Sequence, residues 1–135
     1  MLSGIYWTRV VLAAIASEVG VIAALLAAIA VYKWAAPPTW KDVEGHTLGE
    51  QVGYYVAPTA GAITTFLVAV WAARGGGPRY LAHGLWVGAL SVLLALGFAI
   101  TAKREHRVMY GIAFALRLIA GVLGGLLAQQ LATRA

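Results

Sequence analysis

Hydrophobic and polar positions divide this chain into four long apolar blocks separated by polar segments. The blocks cover residues 10–32, 52–73, 80–102 and 108–131. Each meets the length of about 20 predominantly apolar residues that a helix needs to cross the hydrocarbon of a bilayer. None is long enough to hold two crossings. Aromatic residues mark the ends: Tyr6 and Trp7 precede the first block, Tyr32 and Trp34 close it, Tyr54 and Tyr55 open the second and Trp71 closes it. Tyr80 and Tyr110 open the last two. Such rings settle at headgroup level. Backbone polar groups inside hydrocarbon must be paired within their own segment, so each block is helical. The pattern predicts one all-α domain over 1–135, an antiparallel four-helix transmembrane bundle with both termini on the same side.

The connections differ in length. Residues 33–51 form the longest polar stretch, opened by Pro37-Pro38, which stops the first helix. Within it, Thr39-Trp40-Lys41-Asp42 has the form of a short interfacial helix with Thr39 as N-cap. Residues 74–79, Arg-Gly-Gly-Gly-Pro-Arg, make a tight turn, and 103–107 is equally short. The second, third and fourth helices are therefore expected to be neighbours in chain order.

Composition agrees with the pattern. Charged residues make up 11% of the chain and apolar ones 61%, against about 25% charged in a soluble domain. The surface must therefore face lipid. With no cysteine, disulfides and thiolate chemistry are excluded. The net charge of +5 sits mainly beside the apolar blocks, which points to anionic lipid headgroups and not to nucleic acid. The first block continues to Tyr32, too long for a signal-peptide core, so it is taken as a retained span.

Orientation is less constrained. The side with the termini carries Arg9, Arg74, Arg79 and Arg134, the other Lys33, Lys41, Lys103, Arg104 and Arg107. This near-even count does not decide under the positive-inside rule. The long first connection favours placing its side outside. The expectation is a multi-pass protein of a prokaryotic inner membrane with cytoplasmic termini.

Two ionisable residues interrupt the apolar blocks, Glu18 in the first and Arg117 in the fourth. At this depth such a group costs roughly 2.5–3.5 kcal/mol, and it faces the bundle interior or water with a partner. Measured from the ends of their blocks on the terminal side, the two levels differ by roughly 9 Å at 1.5 Å per residue, close to what two extended side chains can span. One reading is a structural ion pair that fixes helix order. The other is a polar pocket that handles a proton, an ion or a charged substrate. The second block adds Thr59 and Thr64 as candidate members of that pocket, with Tyr54, Tyr55 and Thr65 nearby and a kink expected at Pro58.

Glycines explain packing. Gly84 and Gly88 form a GxxxG on the third block, and Gly121 and Gly125 another on the fourth, with Arg117 one step of four further back on the same face. Small residues at this spacing let helices approach closely, so Arg117 is expected to point into a helix interface. His83 falls near the headgroups, where water can satisfy it. His46 and His106 lie in connections on the opposite side, so the histidines define no metal or haem site. There is no HExxH, GxSxG or P-loop, and no catalytic set, metal or cofactor is expected.

The segment Ala14-Ile15-Ala16-Ser17-Glu18-Val19-Gly20 resembles the first helix of small multidrug resistance transporters, and Trp86-Val87-Gly88 is faintly similar to their third. Those are four-helix proteins of similar size that work as dimers. The resemblance implies that Glu18 binds protons and cationic drugs in competition. The 33–51 connection is longer than that family has, and Arg117 is an unwelcome charge in a cation exporter. The family is not assigned on these two segments.

The sequence thus predicts a small polytopic membrane protein whose polar centre is Glu18 and Arg117, transporter-like or ligand- or ion-binding. The alternative is a non-catalytic structural or assembly subunit of a larger membrane complex. Four short helices enclose little volume, so membrane lipids, further copies of the chain or other membrane subunits are the expected partners.

Overall fold

The computed structural model describes residues 3–35 and 45–135. Four long helices carry the fold: α1 (Trp7–Ala35), α2 (Gly45–Arg74), α3 (Tyr80–Thr101) and α4 (Arg107–Arg134), with one 3-10 turn at Arg104–His106 before α4. Each contains a stretch long and apolar enough to cross a membrane. Successive helices run antiparallel, so both termini lie at one end. The chain is a multi-pass membrane protein built as a helical bundle.

The helices outrun the apolar blocks. α1 begins at Trp7 and runs to Ala35, and α2 begins at Gly45, where the hydropathy pattern opens it at Val52. Hydropathy marks the part of a helix that sits in hydrocarbon, whereas backbone hydrogen bonding continues through the interface into water. His46 accordingly falls in the first turn of α2 and not in a loop. The interfacial helix expected at Thr39–Asp42 lies outside the described residues. α2 runs unbroken through Pro58.

α1 packs on α2 and α3, and α4 packs on α2 and α3, so the helices follow one another round the bundle as α1, α2, α4, α3. α2 and α3, joined by the glycine turn, touch across the short diagonal, while α1 and α4 stand on the long one and barely meet along their backbones. The neighbours expected from the short connections, α2 with α3 and α3 with α4, are in contact, and α2 also borders α4, more closely than it does α3.

The packing is inverted relative to a soluble protein. Large side chains such as Leu12, Ile15, Val19, Ile22 and Leu26 of α1 are exposed, while the largest fully buried side chains are His83, Val10, Val87, Thr65, Ser17 and Ser91. Small and weakly polar residues fill helix interfaces in membranes because apolar bulk gains nothing by leaving lipid. The glycine faces behave as their spacing predicts. A Cβ at Gly84 would stand 2.2 Å from the Gly121 carbonyl oxygen, and one at Gly125 would stand 2.6 Å from that of Tyr80. α3 and α4 thus meet backbone to backbone.

Burial is concentrated in one half. A core of Ile5, Val10, Ala13, Ala69, Ala72 and Val87 closes the end that carries the termini. Towards the other end the last buried positions are Val21 on α1, Pro58 on α2, Ala95 on α3 and Ala113 on α4. Beyond these levels no residue of 22–35, 51–57 or 96–112 is buried, so the helices part there.

The closed end also holds His83, which the sequence placed near headgroups within reach of water. It is fully buried. Its Nδ1 lies 2.8 Å from the Arg79 carbonyl, its Nε2 accepts the Tyr6 backbone N–H at 3.1 Å, and the Tyr6 ring stacks on it. Tyr6 covers the imidazole, and Gly76 packs against its ring where a Cβ would collide. Water is replaced by a fixed donor and a fixed acceptor. Beside it, the Arg9 guanidinium lies over the Trp71 ring at 4.4 Å and donates to the Trp71 carbonyl.

Candidate functional site

The closed and parted halves meet at Glu18 and Arg117. Two features set Glu18. The neighbouring Ser17 is fully buried and bonds to both Thr64 and Thr65 of α2, at 3.1 and 2.9 Å. One turn's width away, Gly20 brings α1 so close that a Cβ there would lie 2.8 Å from the Thr64 methyl. α1 is thereby fixed against α2 on one face. Glu18 is one residue, or about 100° of helix rotation, from Ser17, and its partly exposed side chain turns to the centre of the bundle.

Arg117 meets it there. Its guanidinium pairs with the Glu18 carboxylate through Nη1, and the same nitrogen donates to the Ser91 carbonyl of α3 at 3.1 Å. Its other edge faces Gly61 of α2, where a Cβ would come within 2.8 Å of Nε. One side chain of α4 thus touches all three other helices. The side chain is 5% exposed, against 15% for Glu18. Nε of Arg117 and Oγ of Ser91 are buried and have no hydrogen-bond partner among the described residues.

The reach follows from where the helices pack, not from where they end. α4 overhangs the bundle, with Ala128 its last buried residue, and the first buried residue of α1 is Val10. From these two positions the levels of Glu18 and Arg117 differ by only about 4.5 Å at 1.5 Å per residue. That is within side-chain length.

Above the pair the parted helices leave an open-sided cavity of about 580 Å³, within the 300–1,000 Å³ usual for ligand pockets. Glu18 and Arg117 form its floor. Val21, Ile22, Leu25, Ala57, Pro58, Ala95, Phe98, Met109 and Ala113 form apolar walls, and Tyr54, Thr101, Lys103, His106 and Tyr110 form its far end. The Tyr54 and His106 rings lie 5.5 Å apart there.

The four candidate residues separate. Glu18 and Arg117 come together. Thr64 sits behind them in the hydroxyl cluster with Ser17 and donates to the Ala60 carbonyl at 2.8 Å. Thr59 faces outward and donates to the Tyr55 carbonyl at 3.3 Å. On the helix wheel it stands about 160° from Gly61 and about 120° from Thr65, both of which are buried. Thr59 therefore has no place in the site, and Tyr55 is likewise exposed. Thr65, noted beside Thr64 in the sequence, joins it in the hydroxyl cluster, whereas Ser91 and Gly61 were missed as members. Ser91 had a signal: it is the lone polar residue between His83 and Thr101. No group of three metal-ligating side chains occurs among the described residues.

Fold and site together define a small polytopic membrane protein with a cavity inside the bundle that ends on a buried ion pair. The chain matches no protein-family model, no curated protein and no solved structure. The role that the small multidrug resistance resemblance implies for Glu18 needs a carboxylate free to take a cation. Here Arg117 already occupies it.

Proposed function

We propose that this protein binds a small amphipathic molecule inside its bundle, as a transporter or carrier in the membrane. The observation that supports the reading is the coincidence of three features. The helices part in one half, the space between them is an apolar-walled cavity, and the cavity floor carries the ion pair of Glu18 and Arg117. Convergence of a few polar groups at the end of an apolar pocket is the usual form of a ligand site. A bundle held only by packing has no need of the cavity, and apolar residues could replace the ion pair without loss of stability.

Thermal unfolding in detergent against a panel of water-soluble amphiphiles tests the reading. A ligand that binds the native state raises the midpoint by mass action. At least one compound should do so, and the effect should vanish in Ala113→Leu, which fills the cavity from α4. A panel without effect, or an equal effect in Ala113→Leu, would favour a structural subunit of a larger membrane complex.

A further inference from the structure

The chemistry of the cavity floor points to one class of ligand. Among the described lining residues Glu18 is the only carboxylate, and it stands against Arg117. The two differ in one respect. A guanidinium keeps its charge at any pH a protein tolerates, whereas a carboxylate can take up a proton. If Glu18 does so, Arg117 remains as a buried cation without a counter-charge, which is costly in a low-dielectric site. An anion entering from the cavity removes that cost.

The donor geometry is suited to the exchange. A guanidinium has five N–H donors in a planar fork that matches a carboxylate. Arg117 directs both of its hydrogen bonds from Nη1, to Glu18 and to the Ser91 carbonyl, while its buried Nε has no acceptor among the described residues. The group holds more donors than its present partners use. The walls supply the second half of the specificity, because Val21, Leu25, Phe98 and Met109 offer an apolar tail no polar partner.

Resting on the reading of this cavity as a binding site, we infer that its ligand is an amphipathic monocarboxylate, taken up together with a proton. A proton passes from water to a Glu18 oxygen, the Glu18–Arg117 ion pair separates, and the ligand's carboxylate takes the place of Glu18 on Arg117. No covalent bond of the ligand changes. One positive and one negative charge enter, so the floor stays neutral. A dianion would leave an excess negative charge there, and an organic cation would meet Arg117. Binding therefore strengthens as pH falls while the ligand itself remains ionised. Arg117 is the charged group against Glu18, and the other titratable groups that line the cavity are Tyr110 from α4, Tyr54 from α2, and Lys103 and His106, all at its far end.

Calorimetry with octanoate, octylammonium and octanol on the full chain in lipid nanodiscs tests the inference, with empty nanodiscs subtracted. Octanoate should bind and octylammonium should not. Over the range in which Glu18 is ionised in the free protein, the octanoate association constant should fall about tenfold per pH unit, with one proton taken up per ligand. Glu18→Gln imitates the protonated acid, so it should bind octanoate without pH dependence or proton uptake, and Arg117→Gln should not bind it. His106→Gln should retain the pH dependence, and its loss there would assign the effect to the imidazole and overturn the role given to Glu18. If Glu18→Gln does not fold, proton uptake by the unaltered chain decides. Octylammonium or octanol binding as well as octanoate, or octanoate binding without proton uptake, would overturn the anion inference and leave the cavity a binding site. Binding of none of the three would overturn both.

Discussion

Arg117 of α4 reaches across the long diagonal of the bundle to Glu18 of α1, joining two helices that barely touch elsewhere. The pair lies where the closed half of the bundle gives way to the parted half. It is both the last tie of the packed end and the floor of the cavity.

Removing one partner strands a buried charge, which typically costs about 3–5 kcal/mol. Arg117→Gln should therefore lower thermal stability in detergent strongly, because Glu18 is left alone with no other cation at the floor. The double change to Gln at both positions should recover much of that loss. Additive losses in the double variant would show that the two side chains are not coupled.

Gly61 keeps the guanidinium edge free. A Cβ there would lie 2.8 Å from Nε and 3.1 Å from Nη2 of Arg117. An arginine held at Nη1 from two directions cannot turn away freely, so Gly61→Ala should destabilise by about 1–3 kcal/mol, the usual range for overpacking. The same change made on an Arg117→Gln background should cost far less. An equal cost on both backgrounds would mean that Gly61 serves α2 alone.

The glycines of α3 and α4 divide into contact and non-contact positions. Gly84→Ala would place a Cβ 2.2 Å from the Gly121 carbonyl oxygen, which is backbone and cannot swing aside. It should separate the two helices and lower the unfolding midpoint. Gly97 and Gly111 have nothing within 4 Å of an added Cβ, so alanine there should be neutral or stabilising. Melting curves of the three variants check the order, and a harmless Gly84→Ala would remove the backbone contact from the account.

His83→Ala should be poorly tolerated. It leaves the Tyr6 N–H without its acceptor, while the Arg79 carbonyl keeps the backbone N–H of residue 83. An unsatisfied buried group costs about 1–3 kcal/mol, and the cavity left by the ring adds to that. Proteolysis of the N-terminal segment ahead of α1 should also quicken, because Tyr6 loses the ring it stacks on and the acceptor of its N–H. Unchanged stability and unchanged cleavage would restore the interfacial role that the sequence alone assigned to His83.

Much of this was legible in the sequence, for physical reasons. Four apolar blocks with aromatic ends can form only helices in lipid, and two isolated ionisable groups in such blocks must find partners, so Glu18 and Arg117 stood out. The GxxxG spacing identified the α3–α4 contact because close approach depends on missing side chains. What hydropathy could not show was depth. His83 reads as interfacial by position, yet the chain before α1 folds back and seals it. Thr59 and Thr64 look equivalent in a list, but helix rotation sends Thr59 outward. The short connections marked α2–α3 and α3–α4 as neighbours, but the broad α2–α4 contact has no such signal because no connection joins that pair. The cavity left no trace in the pattern, since parted helices still present apolar residues on both faces.

The central claim is that water and small solutes reach Glu18 and Arg117 through one half of the bundle only. The chain has no cysteine of its own, so single cysteines can report this directly. Ala57→Cys, Ala95→Cys and Ala113→Cys line the cavity, while Ala13→Cys, Ala69→Cys and Ala72→Cys sit in the closed core. In sealed vesicles, a small charged thiol reagent should modify the first three from the side on which it modifies Lys103→Cys, and should leave the last three unmodified from either side. Unmodified cavity positions, or equal labelling in both halves, would contradict the account.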